Sequence, residues 1–185
     1  MRKRAKIVSV LIASWVWCGT LALAQQQGTA QWEKPPEIIS SELFFEMTAE
    51  APFARKNDVV VDQSGLRPAS AKMAGVAVSE AIAVPLEGAT PFLALAAIWQ
   101  AQVPAGSAIT ISIRHSENGW LWQQWQPLHT DGDAQVRANQ WTSGLLILSE
   151  KTKFVQYRVQ FDRGANLAAV ALENLRLVFI SPGKT

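Results

Sequence analysis

Cysteine, histidine and tyrosine are nearly missing from this 185-residue chain, which has one, two and one of them respectively. The single cysteine, Cys18, lies in an N-terminal leader, so the chain beyond it can form no disulfide and depends on a packed core. About 160 residues follow the leader, enough for one such core. His115 and His129 stand in different segments and fall short of a zinc site, which needs three protein ligands plus water. No G-x-S-x-G nucleophile elbow, Gly-rich phosphate loop or internal repeat is present. These absences predict a chain that is not an enzyme and holds no metal or other cofactor.

Charge of one sign is also missing once the leader is set aside. Of 17 Lys and Arg, four (Arg2, Lys3, Arg4 and Lys6) belong to the leader, and the remaining 13 face 15 Asp and Glu. The dispersed basic residues leave no footprint for nucleic acid. The leader itself has a basic start, an apolar run from Ile7 to Trp17 and a small-x-small site at Ala22-Leu23-Ala24. That three-part pattern predicts a signal peptide cleaved after Ala24 and a secreted or extracytoplasmic protein. Two alternatives stay open: lipidation of Cys18, against which the bulky Trp15-Val16-Trp17 argues, and an uncleaved anchor spanning Ile7 to Ala24.

From residue 25 to 74 the composition suggests a partly disordered arm, with Pro35-Pro36, Pro52 and the charged run Arg55-Lys56-Asn57-Asp58. Two pieces of it are expected to dock as edge strands, Ile38 to Met47 and Val59-Val60-Val61, because Phe44 and Phe45 left exposed would favour aggregation. Residues 75–183 read as strands separated by turns. Val76 to Val84 is the first; Phe92 to Gln102 is apolar on both faces and belongs in the middle of a sandwich. Ile109 to Arg114 alternates, with Asn118-Gly119 predicting a two-residue hairpin and Trp120 to Leu128 the returning strand. Leu145 to Ser149, Phe154 to Phe161 and Leu167 to Ile180 complete the set. Ala165 to Leu175 also admits a helix, but the apolar alternation of Leu175, Leu177 and Phe179 favours strand. The expected fold is an all-β antiparallel sandwich, jelly-roll-like, of about seven or eight strands.

Tryptophan is what the chain has in excess: six remain after the leader, Trp32, Trp99, Trp120, Trp122, Trp125 and Trp141. Strand parity puts Trp120 and Trp122 on one face and Trp125 on the other, unless a bulge intervenes at Gln123-Gln124. Packing predicts Trp99, Trp122 and Trp125 between the sheets, with Arg114 and Arg158 stacked on ring faces from outside. The competing expectation is an exposed platform of Trp120 with Trp141. Against it a sugar ring would lay its apolar C–H face, while Gln123, Gln124, Gln126 and Arg114 supply hydrogen bonds to hydroxyls. The loop His129-Thr130-Asp131-Gly132-Asp133 reads as a polar turn, with weak calcium binding as the alternative.

The order of Trp99, then Arg114-x-Ser116-x-x-Gly119-x-x-Trp122-x-x-Trp125, then Gln156-Tyr157-Arg158-Val159 resembles a domain known from bacterial cell-wall enzymes. It is the β-sandwich accessory domain that precedes the catalytic domain of secreted N-acetylmuramoyl-L-alanine amidases. The stretch from Leu175 to Gly183 is similar to the passage of that domain into its linker, and the resemblance spans roughly Gly75 to Gly183. It implies a non-catalytic module that holds cell-wall glycan next to a zinc enzyme. In this sequence no amidase domain follows, so a separated half of such an amidase is one expectation. A structural or protein-binding sandwich of the cell envelope is another.

Overall fold

A computed structural model describes residues 38–85, 93–137, 139–165 and 167–182, and in 131–137 the backbone only. The expected signal peptide, residues 25–37 and Trp32 lie outside the described part. Fourteen strands follow in order: β1 (Ile38–Glu46), β2 (Phe53–Asn57), β3 (Val59–Asp62), β4 (Gly65–Pro68), β5 (Ala74–Ser79), β6 (Ile82–Ala83) and β7 (Leu93–Gln102). Then come β8 (Ala108–Ser116), β9 (Gln126–Pro127), β10 (Thr130–Arg137), β11 (Gln140–Ser143), β12 (Leu146–Leu148), β13 (Phe154–Asp162) and β14 (Ala171–Pro182).

All pairings are antiparallel and form two sheets. The eight-stranded sheet has β7 and β14 at its centre. β11 and β12 share one side of β7 with β10 beyond, and β1 and β4 share the far side of β14 with β3 beyond. The six-stranded sheet runs β2, β5, β13, β8, β9, with β6 also on β13. The protein is an all-β antiparallel sandwich.

Alternation makes the core. Leu93, Leu95, Ala97, Trp99 and Ala101 of β7 and Leu175, Leu177 and Phe179 of β14 are buried on the inner face of one sheet. Ile111 and Ile113 of β8 and Val155, Tyr157, Val159 and Phe161 of β13 are buried on the inner face of the other. A period of two places each set on one side of its strand, and burying both sets removes them from water together. Phe45 of β1 meets Tyr157 across the interface, ring centres 5.4 Å apart, and Phe53 of β2 approaches the same ring edge-on at 6.2 Å.

Four expectations need correction. The two strands expected to dock, Ile38 to Met47 and Val59 to Val61, are found as β1 and β3, and the rest of residues 38–74 is more ordered than an arm, supplying β2, β4 and the start of β5 as well. Their prolines fall where ladders tolerate them: Pro52 precedes β2 and Pro68 ends β4. Gly65 opens β4 with φ +98°, where a Cβ would meet the Leu172 carbonyl, so this hairpin is fitted closely to β14. Second, the strand expected over Val76 to Val84 breaks between β5 and β6. Third, Thr130 to Arg137 is strand rather than polar turn, and it pairs with an unforeseen β11. Fourth, Asn118-Gly119 does not make a two-residue hairpin, for reasons that belong to the site. Among the described residues from Ala165 to Leu175 there is no helix; β14 begins at Ala171.

Tyr157 is the only tyrosine of the chain, and its buried hydroxyl has no hydrogen-bond partner among the described residues. Tyr157→Phe is therefore expected to change unfolding free energy by less than about 0.5 kcal/mol or to raise it, because it removes an unsatisfied polar atom. Burial pushes the phenol above its usual range. The unfolded chain then gives up this proton at lower pH than the folded one, so the linked stability is intact below about pH 10 and falls as pH rises beyond it. An alkaline titration should show the tyrosinate absorbance only together with unfolding.

Candidate functional site

β8 and β13 pair in a register that sets Arg114 opposite Gln156 and Ser112 opposite Arg158, all on the outer face of the six-stranded sheet. Arg114 Nε donates to Gln156 Oε1 at 2.8 Å, and Gln156 Nε2 donates to the Ser79 carbonyl at 2.9 Å. Arg114 is thereby fixed to β13 and through it to β5. Arg158 Nη2 reaches Ser112 Oγ at 3.5 Å, while its Nε is buried without a partner. Burial, with the neighbouring Arg158 charge second, draws the Arg114 guanidinium below its ordinary pKa, and burial does the same to Arg158.

After β8 the chain makes a wide loop, residues 117–125, held by side chains. Ser116 Oγ accepts the N–H groups of Asn118 (3.3 Å) and Gly119 (2.9 Å), and Asn118 Oδ1 accepts those of Trp120 and Leu121 (both 2.9 Å). A type I′ turn needs positive φ at both central residues. Here only Gly119 adopts it, at +79°, because the Asn118 side chain is capping the following turn. The loop returns when Gln123 N–H donates to the His115 carbonyl at 2.9 Å and Leu128 N–H to the Ile111 carbonyl at 2.8 Å.

The loop folds over the outer face. Arg114 lies 4.9 Å from the Trp122 ring centre and 4.6 Å from that of Trp125, and Arg158 lies 4.7 Å from the Trp125 centre. The arginine stacking expected from the sequence is found, but Trp122 and Trp125 are on the outside of the sheet rather than between the sheets. Trp99 alone of the three is core. The stack braces the loop, each contact contributing about 0.5–1 kcal/mol at a partly exposed site.

What the braced loop presents is a cleft of about 710 Å³ lined by Asn118, Leu121, Gln123, Gln124, Gln126 and Ser149, among others. The sequence-predicted Gln123, Gln124 and Gln126 come together there. Trp120, 86% exposed, and Leu121, 77% exposed, stand on the same loop. Arg114 lies behind them in the stack. Trp141 is not part of any platform with Trp120: it sits in β11 of the other sheet, opposite Trp99 in register, and packs against the core. His115 also lines the cleft and contacts Thr152 Oγ1 through Nδ1 at 3.0 Å; burial lowers its pKa, partly opposed by Glu117.

The bracing role of Trp122 and Trp125 was not foreseen, and neither was the part of Asn118 and Leu121 in the cleft. A signal existed in the R-x-S-x-x-G-x-x-W spacing, since Ser116 and Asn118 are the side chains that hold wide turns. Among the described residues no three His, Cys, Asp or Glu side chains gather as a metal site. The calcium alternative falls on Asp131 and Asp133, whose side chains lie outside the described part.

No family model matches the chain, and no curated protein matches it. Among solved structures it is similar to the cleaved adhesin domain of Lys-gingipain from Porphyromonas gingivalis, at 11% identity and a TM-score of 0.34, over 80% of this chain and 99% of that one.

Proposed function

We propose that this protein is a secreted, non-catalytic binding module of the cell envelope that holds a cell-wall glycan at the loop of residues 117–126, in the manner of the amidase accessory domains it resembles. The observation that carries this reading is the union, on one braced loop, of three glutamine side chains lining a cleft and a nearly bare Trp120. Exposing an indole to water has a cost that binding recovers. A sugar ring offers the apolar face that Trp120 can cover, and amides both donate to and accept from hydroxyls. Bracing by Arg114 and Arg158 limits the ordering entropy lost on binding.

The test is a titration of the chain, from residue 25, with peptidoglycan fragments and neutral oligosaccharides, followed by tryptophan fluorescence. Trp120→Ala is expected to weaken binding at least about tenfold, the loss of one stacking contact plus buried area, with an unchanged melting temperature. Binding unaffected by Trp120→Ala would contradict the reading.

A second reading, a protein-interaction module, has its own observation. β1 pairs only with β14 among the described residues, and Ile38 and Ile39 on it are 71% and 42% exposed. A strand from an envelope protein would extend the sheet at that edge.

A further inference from the structure

The outer face of the six-stranded sheet has an excess of cation that the glycan reading leaves unused. Arg114 and Arg158 both lie within 4.7 Å of the Trp125 ring centre, and Arg55, in register with Val78, stands in the row of Arg158 and Ser112. None of the three is in a salt bridge among the described residues; the ion pairs there join Arg67 to Asp62, Lys72 to Asp58 and Arg176 to Glu42. The carboxylate that β13 contributes to this face, Asp162, is at its far end and accepts the Gly164 N–H at 2.8 Å.

Half-buried guanidiniums normally face a carboxylate, because leaving water costs an unpaired charge several kcal/mol. Indole faces offset part of that cost, but they accept no N–H···O hydrogen bonds. The donors remain: Arg158 Nε is buried with no partner, and the Arg158 Nη2 contact to Ser112 Oγ is at the 3.5 Å limit of a hydrogen bond. A planar fork of N–H donors with a rigid backing is the arrangement that receives a carboxylate or phosphate.

We infer that Arg114 and Arg158, backed by Trp125, form an oxyanion site that takes a carboxylate or phosphate group carried by the wall polymer. The site lies on the same braced unit as the cleft, so one polymer would place its sugar at Trp120 and its anionic substituent at the arginines. This deepens the glycan reading and rests on it for the identity of the polymer, though not for the anion chemistry.

The experiment titrates the chain with four probes: a disaccharide-peptide with free carboxylates, the same fragment with those carboxylates amidated, poly(glycerol phosphate), and a neutral chitin oligosaccharide. Binding of the free-acid fragment, the phosphate polymer, or both is expected to exceed that of the amidated fragment and to weaken with salt; which one binds identifies the source of the oxyanion. Arg158→Gln should weaken the anionic probe about tenfold and the neutral oligosaccharide, which feels only the lost brace, by much less. Arg158→Lys, which keeps the charge but loses the fork, should fall between, and it carries the comparison if the glutamine variant fails to fold. Equal binding of the free and amidated fragments together with no binding of poly(glycerol phosphate), or an anionic affinity untouched by both variants, would overturn the inference. Loss of neutral-sugar binding alone would remove the glycan reading and leave the oxyanion site in place.

Discussion

Replacing Phe45 with alanine is expected to lower unfolding free energy by about 3 kcal/mol, the cost of a large-to-small change in a packed site plus a lost aromatic pair. Phe45 belongs to β1, and its ring lies 5.4 Å from that of Tyr157 on the opposing sheet. It therefore ties the first strand to the second sheet, not merely to its neighbour β14. β1 in turn covers β14 over nine paired positions, from Ile38–Pro182 to Glu46–Asn174. Loosening it exposes the edge of the strand that carries the buried Leu175, Leu177 and Phe179. Phe44 is the internal control: it is 53% exposed with Arg176 5.8 Å from its ring centre, and its alanine variant should cost less than about 1 kcal/mol. Denaturant unfolding of the two variants reads the difference. Equal, small effects would mean that β1 is only laid against the sandwich.

Trp125→Ala should cost about 2 kcal/mol and also abolish ligand binding at the loop. The ring is half-buried and is the common partner of Arg114 and Arg158. Without it, two cations on one face lose the surface that screens them from each other, and the loop loses its attachment between β8 and β9. Trp120→Ala separates the two consequences, since Trp120 is 86% exposed and braces nothing. Thermal melting should distinguish the pair: a lowered midpoint with binding lost for Trp125→Ala, and an unchanged midpoint with binding weakened for Trp120→Ala. A stable, fully binding Trp125→Ala would show that the stack does not hold the loop.

The long strands were legible because their alternation is a direct consequence of burying one face. β7, β8, β13 and β14 lie where the period of two puts them, to within a few residues. Composition misled in residues 38–74, where prolines and the Arg55–Asp58 charges read as linker; the alternation of Leu43 and Phe45 against Glu42, Phe44 and Glu46 was the better guide. The site was legible in its members and not in its geometry. Gln123, Gln124 and Gln126 do share a cleft. Strand parity holds for Trp120, Trp122 and Trp125 only if they lie in a strand, whereas the Ser116 and Asn118 side chains take the backbone out of the ladder. Residue type alone joins Trp141 to Trp120; its pairing with Trp99 depends on β11, a strand that only the tertiary fold defines.

The most direct test of glycan binding at the 117–126 loop is to follow the indole N–H resonances of the tryptophans by NMR as a peptidoglycan fragment is added. A large shift is expected for Trp120, smaller shifts for Trp122 and Trp125, and none for Trp99 and Trp141, which pack in or against the core. Shifts confined to Trp99 and Trp141, or saturation of the fragment with the Trp120 resonance unmoved, would contradict glycan binding at the loop.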